Sequence, residues 1–219
     1  MSGNVPIENS EAQSAARLVP LVFIVDDDPH VSGVLREIIQ AGGYAAVVHS
    51  TAEAFVDDYR DEAPGCIVLD VQLPGMNGLE LQQTLAARHI LTPIIMLTGH
   101  ASIQSAVQAM KAGAFNFVEK PACPAELQRQ VRTAVESDIR RRRQTAERAE
   151  AMQRMSALSE REREVMNLLV DATTPKRIAA QLGISPKTVE FHRANLLVKL
   201  NLDSVSELIR FSLSHGLTP

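Results

Sequence analysis

The stretch LVFIVDDDPH, Leu21 to His30, joins five apolar residues to three consecutive aspartates and a proline. An unbroken apolar run this short suits a strand buried on both faces, and Asp28 before Pro29 is a helix-opening pair. The alternation recurs downstream. Apolar runs stand at Tyr44 to Val48, Cys66 to Leu69, Ile94 to Leu97 and Asn116 to Val118, with helical periodicity near 3.6 between them. Such alternation predicts a parallel sheet covered by helices on both faces, with its sites at the carboxyl ends of the strands. Asp26 and Asp27 follow the first run, Asp70 the third and Thr98 the fourth, while Lys120 lies just past the fifth. Four strand ends thus bring charged or polar groups to one edge.

Beyond Pro124 the pattern changes. A long segment rich in Arg, Glu, Gln and Ala runs to about Met155 with few apolar positions, as expected of a last sheet-packing helix that continues into a linker. From Ser156 onward every segment reads as helix. Ser159 and Glu162 have capping-box spacing, Thr174-Pro175 and Ser185-Pro186 each place a capping residue before a proline, and Gly183 supplies the turn between two helices. A fourth helix is expected from about Ser204 to His215. The first 17 residues are mostly small and polar and lack the features of a secretory signal, so a disordered tail over 1–19 is expected.

With 219 residues and 45% hydrophobic content, the chain has room for two ordinary domains, and no apolar run approaches the roughly 20 residues of a membrane span. Cys66 and Cys123 have no metal-ligand spacing and read as reduced thiols. Residues 1–135 carry eight basic and fifteen acidic side chains, a net of −7, whereas the remainder carries fourteen and eleven, a net of +3. This asymmetry suggests an acidic domain joined to one that meets a polyanion, although the run Arg140 to Arg143 also suits a solvated helix face.

Carboxylates gathered at Asp26, Asp27 and Asp70 repel one another, by about 4 kcal/mol for a pair at 4 Å in an effective dielectric of 20. A hard divalent cation offsets that repulsion, and Mg2+ held by carboxylates, water and phosphate oxygens is the usual arrangement. The plain alternative is that Asp28 caps a helix while its acidic neighbours are merely solvated.

The segments VFIVDDDP, VLDVQLPGMNG, PIIMLTGHA and KAGAFNFVEKP, in this order across residues 20–138, resemble the signatures of response-regulator receivers. The resemblance implies a five-stranded, flavodoxin-like doubly wound receiver, phosphorylated on Asp70. It implies that Asp26 and Asp27, with Asp70, hold Mg2+, that Thr98 and Lys120 bind the phosphoryl oxygens, and that the Lys120-Pro121 bond is cis. Phe117 matches the family's switch aromatic, acting with Thr98, the alternative being an ordinary core aromatic, and Ile103 to Gln130 is the candidate dimer face. Gln72 and His100 would flank the path of hydrolytic water and set phosphoryl lifetime. Ala122 and Cys123 depart from the family, where an aromatic often follows the proline.

Residues 156–219 resemble the four-helix, LuxR-type helix-turn-helix module of the NarL/FixJ family, through LSEREREVMNLL, IAAQLGIS, PKTVEFHRANLLVKL and SELI. The loop from Asp171 to Pro175 lacks the family's usual Gly and Ser-Asn. On a helical wheel of the third helix Val189, Leu196 and Leu200 form a buried stripe, with Glu190, Phe191, Ala194, Asn195 and Val198 opposite. An exposed Phe there suits a major groove, where it can touch a thymine methyl while Glu190 accepts from cytosine N4. Lys187, Thr188, Glu190, Phe191, Arg193, Ala194 and Asn195 are the candidate DNA contacts, and the pattern Glu190, Arg193, Ala194, Asn195 resembles FixJ-like more than NarL-like recognition helices. The alternative is that the helix packs Phe191 on the receiver or on another subunit. Eight basic against seven acidic residues after 155 leave the module only +1, so tight binding calls for a dimer.

The expected protein is a cytoplasmic transcription regulator rather than an enzyme. Its domains are a receiver over 20–138, a helical linker over 139–155 and a DNA-binding module over 156–219. Expected partners are a cognate histidine kinase, promoter DNA and a second copy when phosphorylated, with RNA polymerase a further candidate and no membrane. Two competing readings are a regulator that dimerises and binds DNA without obligatory phosphorylation, and a phosphohydrolase using Asp70 as nucleophile. Against the hydrolase, Gln72 stands where those enzymes carry a second acid.

Overall fold

The computed structural model describes residues 19–99, 103–171 and 173–215. The expected tail, apart from Val19, lies outside them, as does His100. The strands are β1 (Leu21–Val25), β2 (Ala45–His49), β3 (Gly65–Asp70), β4 (Ile94–Thr98) and β5 (Asn116–Glu119), all parallel in the order β2-β1-β3-β4-β5. Between them run α1 (Pro29–Ala41), α2 (Ala52–Asp58), α3 (Gly78–Ala87) and α4 (Ile103–Lys111), and α5 (Pro124–Ser156) follows the last strand.

The doubly wound layering follows from the period of two along each strand. Val22, Ile24, Cys66, Val68, Ile95 and Leu97 point to one face, where Leu35 and Ile39 of α1 and Leu127, Val131 and Val135 of α5 cover them. Phe23, Val25, Ile67, Leu69, Ile94 and Met96 point to the other, beneath Phe55, Leu81, Leu85 and Ala109. Strand order reverses direction beside β1, so the carboxyl ends of β1 and β3 flank a crevice. Gly78 sets how closely α3 approaches there, because a Cβ on it would lie 2.1 Å from the backbone oxygen of Asp70.

The chain divides into two compact units at Arg142/Arg143, a boundary inside α5. The second unit contains α6 (Glu160–Val170), α7 (Pro175–Leu182), α8 (Pro186–Leu200) and α9 (Val205–His215). Val165, Met166, Leu169, Ile178, Val189, Leu196, Leu200 and Leu208 form its core. Ser159 and Glu162 make the expected capping box, and Ser185 caps α8 through the Thr188 N–H. Gly183, at φ 67°, ends α7 in the left-handed region. Thr174 differs from expectation: it occupies the N-cap position of α7 with extended backbone, yet its side chain makes no capping hydrogen bond. Pro175 fixes the entering φ without it.

Glu162 ties α6 to α8. It is 4% exposed, accepts from the Ser159 N–H at 2.7 Å and receives the Lys199 ammonium at 2.7 Å. Burial pushes its carboxyl upward, but Lys199 and the Ser159 donors outweigh that and hold it below the ordinary value. A depressed carboxylate stabilises the fold above its unfolded pKa, near about 4.3, and that stability is lost as pH falls through the lower folded value. Glu162→Gln is therefore expected to weaken this unit by about 1–3 kcal/mol at neutral pH and to flatten its acid limb. Urea unfolding of the full chain across pH, read by pulsed hydrogen exchange over 160–200, measures both.

Candidate functional site

Asp26 leaves β1 with 1% exposure, and Asp70 closes β3 with 5%. Between them comes Lys120, whose Nζ lies 2.7 Å from Asp26 Oδ2 and 2.8 Å from Asp70 Oδ2. The sheet delivers it, since the Lys120 N–H donates to the Thr98 carbonyl at 2.8 Å across the ends of β4 and β5. Lys120-Pro121 is cis, as the resemblance implied. The other carboxylate oxygens are also engaged: Asp28 N–H donates to Asp26 Oδ1 at 3.0 Å and Gln72 N–H to Asp70 Oδ1 at 3.2 Å.

Burial pushes the Asp26 carboxyl up, against the opposing pull of Lys120, and leaves it above the ordinary value. Burial acts on Lys120 in the opposite sense, yet its hydrogen bonds to Asp26 and Asp70 outweigh that and raise it, so the ammonium stays charged at neutral pH. Lys120 thus offsets part of the repulsion that sequence reasoning assigned to a cation alone.

One oxygen from each of Asp26, Asp27 and Asp70 can be chosen so that the three lie within 4.8 Å of one another. These hard oxygens fit Mg2+, and Asp27 is exposed and accessible. Asp28 stands apart: it caps α1 by accepting from the His30 and Val31 N–H groups at 2.8 and 3.3 Å. The capping role and the acidic cluster therefore coexist.

Thr98 ends β4 and is 6% exposed. Phe117 is 40% exposed and belongs to no core cluster, which removes the ordinary-core-aromatic alternative. β5 is an edge strand, and only its Val118 is buried. The Gln72 side chain is exposed.

On α8 the wheel holds: Val189, Leu196 and Leu200 are fully buried, while Phe191 and Val198 are 62% and 79% exposed. Lys187, Glu190 and Ala194 are exposed, and Thr188, Arg193 and Asn195 are partly buried. Three of these side chains have partners that sequence reasoning missed. Arg193 pairs with Glu190 at 2.9 Å, and the Thr188 hydroxyl lies 2.8 Å from Ser185 Oγ. The three-residue spacing of Glu190 and Arg193 was the available signal.

Residues 22–132 match the response regulator receiver domain, and residues 156–212 match the bacterial regulatory proteins of the luxR family. The chain belongs to the response-regulator family. It is similar to the transcriptional regulatory protein FixJ of Azorhizobium caulinodans, with 41% identity over 90% of this chain and 94% of that one. FixJ of Rhizobium meliloti is 37% identical over 90% of this chain and 97% of that one. Among solved structures, the response regulator StyR matches with a TM-score of 0.82 at 36% identity, covering 89% of this chain and 98% of that one. Full-length FixJ from B. japonicum matches with a TM-score of 0.57 at 33% identity, covering 91% and 98%. This response regulator therefore combines a receiver with a LuxR-type DNA-binding domain and regulates transcription. Its family comprises transcriptional regulators rather than classical enzymes, and its receivers generally bind Mg2+ in an acidic pocket. Among the described residues no helix is long and apolar enough to cross a membrane.

Proposed function

We propose that a histidine kinase phosphorylates Asp70, and that the phosphorylated receiver (20–138) acts through the linker (139–155) to control dimerisation and sequence-specific DNA binding by the C-terminal module (156–219). The observation that carries this reading is Lys120 Nζ bridging Asp26 and Asp70 at 2.7 and 2.8 Å at the carboxyl ends of the strands. An Asp70 oxygen forms a bond to phosphorus as the bond to the kinase histidine nitrogen breaks, and the imidazole leaves. In such a transfer, positioning and charge neutralisation matter more than covalent machinery. Lys120 and Thr98 stabilise the phosphoryl oxygens, and Gln72 and His100 set how long the phosphoryl group lasts. Asp26, Asp27 and Asp70 would hold Mg2+, which supplies positive charge beside the transferred group.

The phosphoryl group adds roughly −1.5 to −2 charge, drawing in the Thr98 hydroxyl. The space Thr98 leaves admits Phe117, whose present exposure gives it an inward move to make. That changes the face from Ile103 to Gln130, which is proposed to dimerise. Taking dimer occupancy from 1% to 99% needs about 5.5 kcal/mol, more than one hydrogen bond supplies. A partial shift is expected, amplified by cooperative DNA binding. Sedimentation with beryllofluoride should show dimers in the wild type and fewer in Thr98→Ala. A wild type that binds beryllofluoride and stays monomeric overturns the dimer mechanism.

Glu190 and Phe191 are proposed as base readers, with Lys187, Thr188, Arg193, Ala194 and Asn195 as flanking contacts. Glu190→Ala or Phe191→Ala should weaken a preferred site by about 1–3 kcal/mol and leave random DNA nearly unaffected. Competition binding against random duplex measures the difference, and equal losses on both exclude base reading. Because Arg193 pairs with Glu190, Glu190→Ala also frees a cation, so its loss should be the smaller of the two.

A further inference from the structure

The run Arg140 to Arg143 lies within α5 at the boundary between the two units, and its middle members do not lie on a solvated face. Arg141 and Arg142 both pair with Asp138, one helical turn earlier and fully buried at 0% exposure, Arg142 Nε at 2.7 Å. The same carboxylate accepts the Gly65 N–H at 3.1 Å. Gly65 is the first residue of β3, and a Cβ on it would lie 1.8 Å from the Leu21 carbonyl oxygen, so this anchor is packed against β1. Arg142 also reaches outward, pairing with the Asp61 carboxylate and donating to the Asp61 carbonyl at 3.3 Å.

The part of α5 beyond Arg142 gives this network its significance. Arg143 through Glu150 are all exposed, so this part of the helix has no apolar burial to hold it. It has the pair Arg143–Glu147 at 2.7 Å, and Glu150 pairs with Arg154 at 2.5 Å. Exposed pairs of this kind contribute little, and a helix of this length without packing is marginal in water. Four adjacent arginines oppose helix formation unless their charge is matched. Asp138 and Asp61 match the two inner ones.

We propose that Asp138, Arg142 and Asp61 form a clamp that fixes α5 to the start of β3 and keeps the solvated segment Arg143–Glu150 helical. Opening the clamp converts a helical interdomain connection into a flexible one. Helix and coil of this segment are the two states of the element, and the clamp biases between them. This device stands apart from the phosphorylation chemistry, being at the opposite end of β3 from Asp70.

Amide hydrogen exchange of the full-length chain tests the clamp. In the wild type, peptides spanning 140–150 should be protected relative to unstructured chain. Asp138→Asn should speed their exchange by about tenfold or more, because one change removes the buried charge that Arg141 and Arg142 share, while β1 and β4 peptides keep their protection. Asp61→Asn cuts only the outer, exposed partner and should speed exchange several-fold, less than Asp138→Asn. If Asp138→Asn loosens the whole receiver, Asp61→Asn alone decides. Unchanged exchange over 140–150 in Asp61→Asn, or a wild-type segment already exchanging as unstructured chain, overturns the proposal.

Discussion

Asp70→Asn should take up no phosphoryl group from acetyl phosphate and Mg2+, whereas the wild type should be labelled. The amide has the shape of the carboxylate but not its anionic oxygen, so the bond to phosphorus does not form. The fold should persist, because the amide weakens only the Lys120 pair at 2.8 Å and leaves the other contacts in place. Its Oδ1 accepts from the Gln72 N–H, and Lys120 keeps its 2.7 Å contact with Asp26. Removing a neighbouring negative charge also relieves Asp26, whose carboxyl Asp70 helps to push upward. The expected result is therefore loss of labelling with little change in thermal stability. Stable labelling of this variant on another residue defeats the assignment of Asp70.

Gly78→Ala is the second large expected effect, and it acts through backbone rather than chemistry. A methyl group at this position would lie 2.1 Å from the Asp70 oxygen and 3.0 Å from the Asp70 carbonyl carbon and the Val71 Cα, none of them the end of a flexible side chain. The Gly78 N–H also donates to the Val71 carbonyl at 3.0 Å, so α3 cannot back away without losing that bond. Relieving the overlap moves the end of β3 or the start of α3. Overpacking of this kind costs typically about 1–3 kcal/mol, and here the displaced backbone carries Asp70, the proposed acceptor, so slower labelling should accompany lower stability. Gly33→Ala in α1 provides the contrast, since nothing lies within 4 Å of its added Cβ. Urea unfolding and acetyl phosphate labelling of both variants measure these effects, and equal stability of the two variants contradicts the close-approach argument.

The sheet was legible because each of its strands is announced by an apolar run that period-two burial demands, and most strand edges moved by one residue. β2 begins at Ala45 rather than Tyr44, and β3 takes in Gly65 and Asp70 at its ends. The grouping of Asp26, Asp27 and Asp70 was legible too, since parallel strands put their carboxyl ends on one edge. What lay out of reach depends on distance along the chain. Lys120 bridges to Asp26 across 94 residues, and no local pattern shows that an ammonium will sit between two aspartates. The run at Arg140–Arg143 was ambiguous for the same reason: the outer partner of Arg142 is Asp61, 81 residues away. Phe117 was open between core and surface because its exposure depends on β5 being the edge strand, which the order of strands decides and their composition does not.

The central claim, that phosphorylation at Asp70 controls DNA binding, is tested most directly by the affinity of the full-length protein for its preferred site at fixed salt, with and without beryllofluoride. The wild type should bind more tightly with beryllofluoride, and Asp70→Asn should show no difference. Equal affinity of the wild type in both conditions, with beryllofluoride bound, would contradict the account and favour a regulator that binds DNA without obligatory phosphorylation.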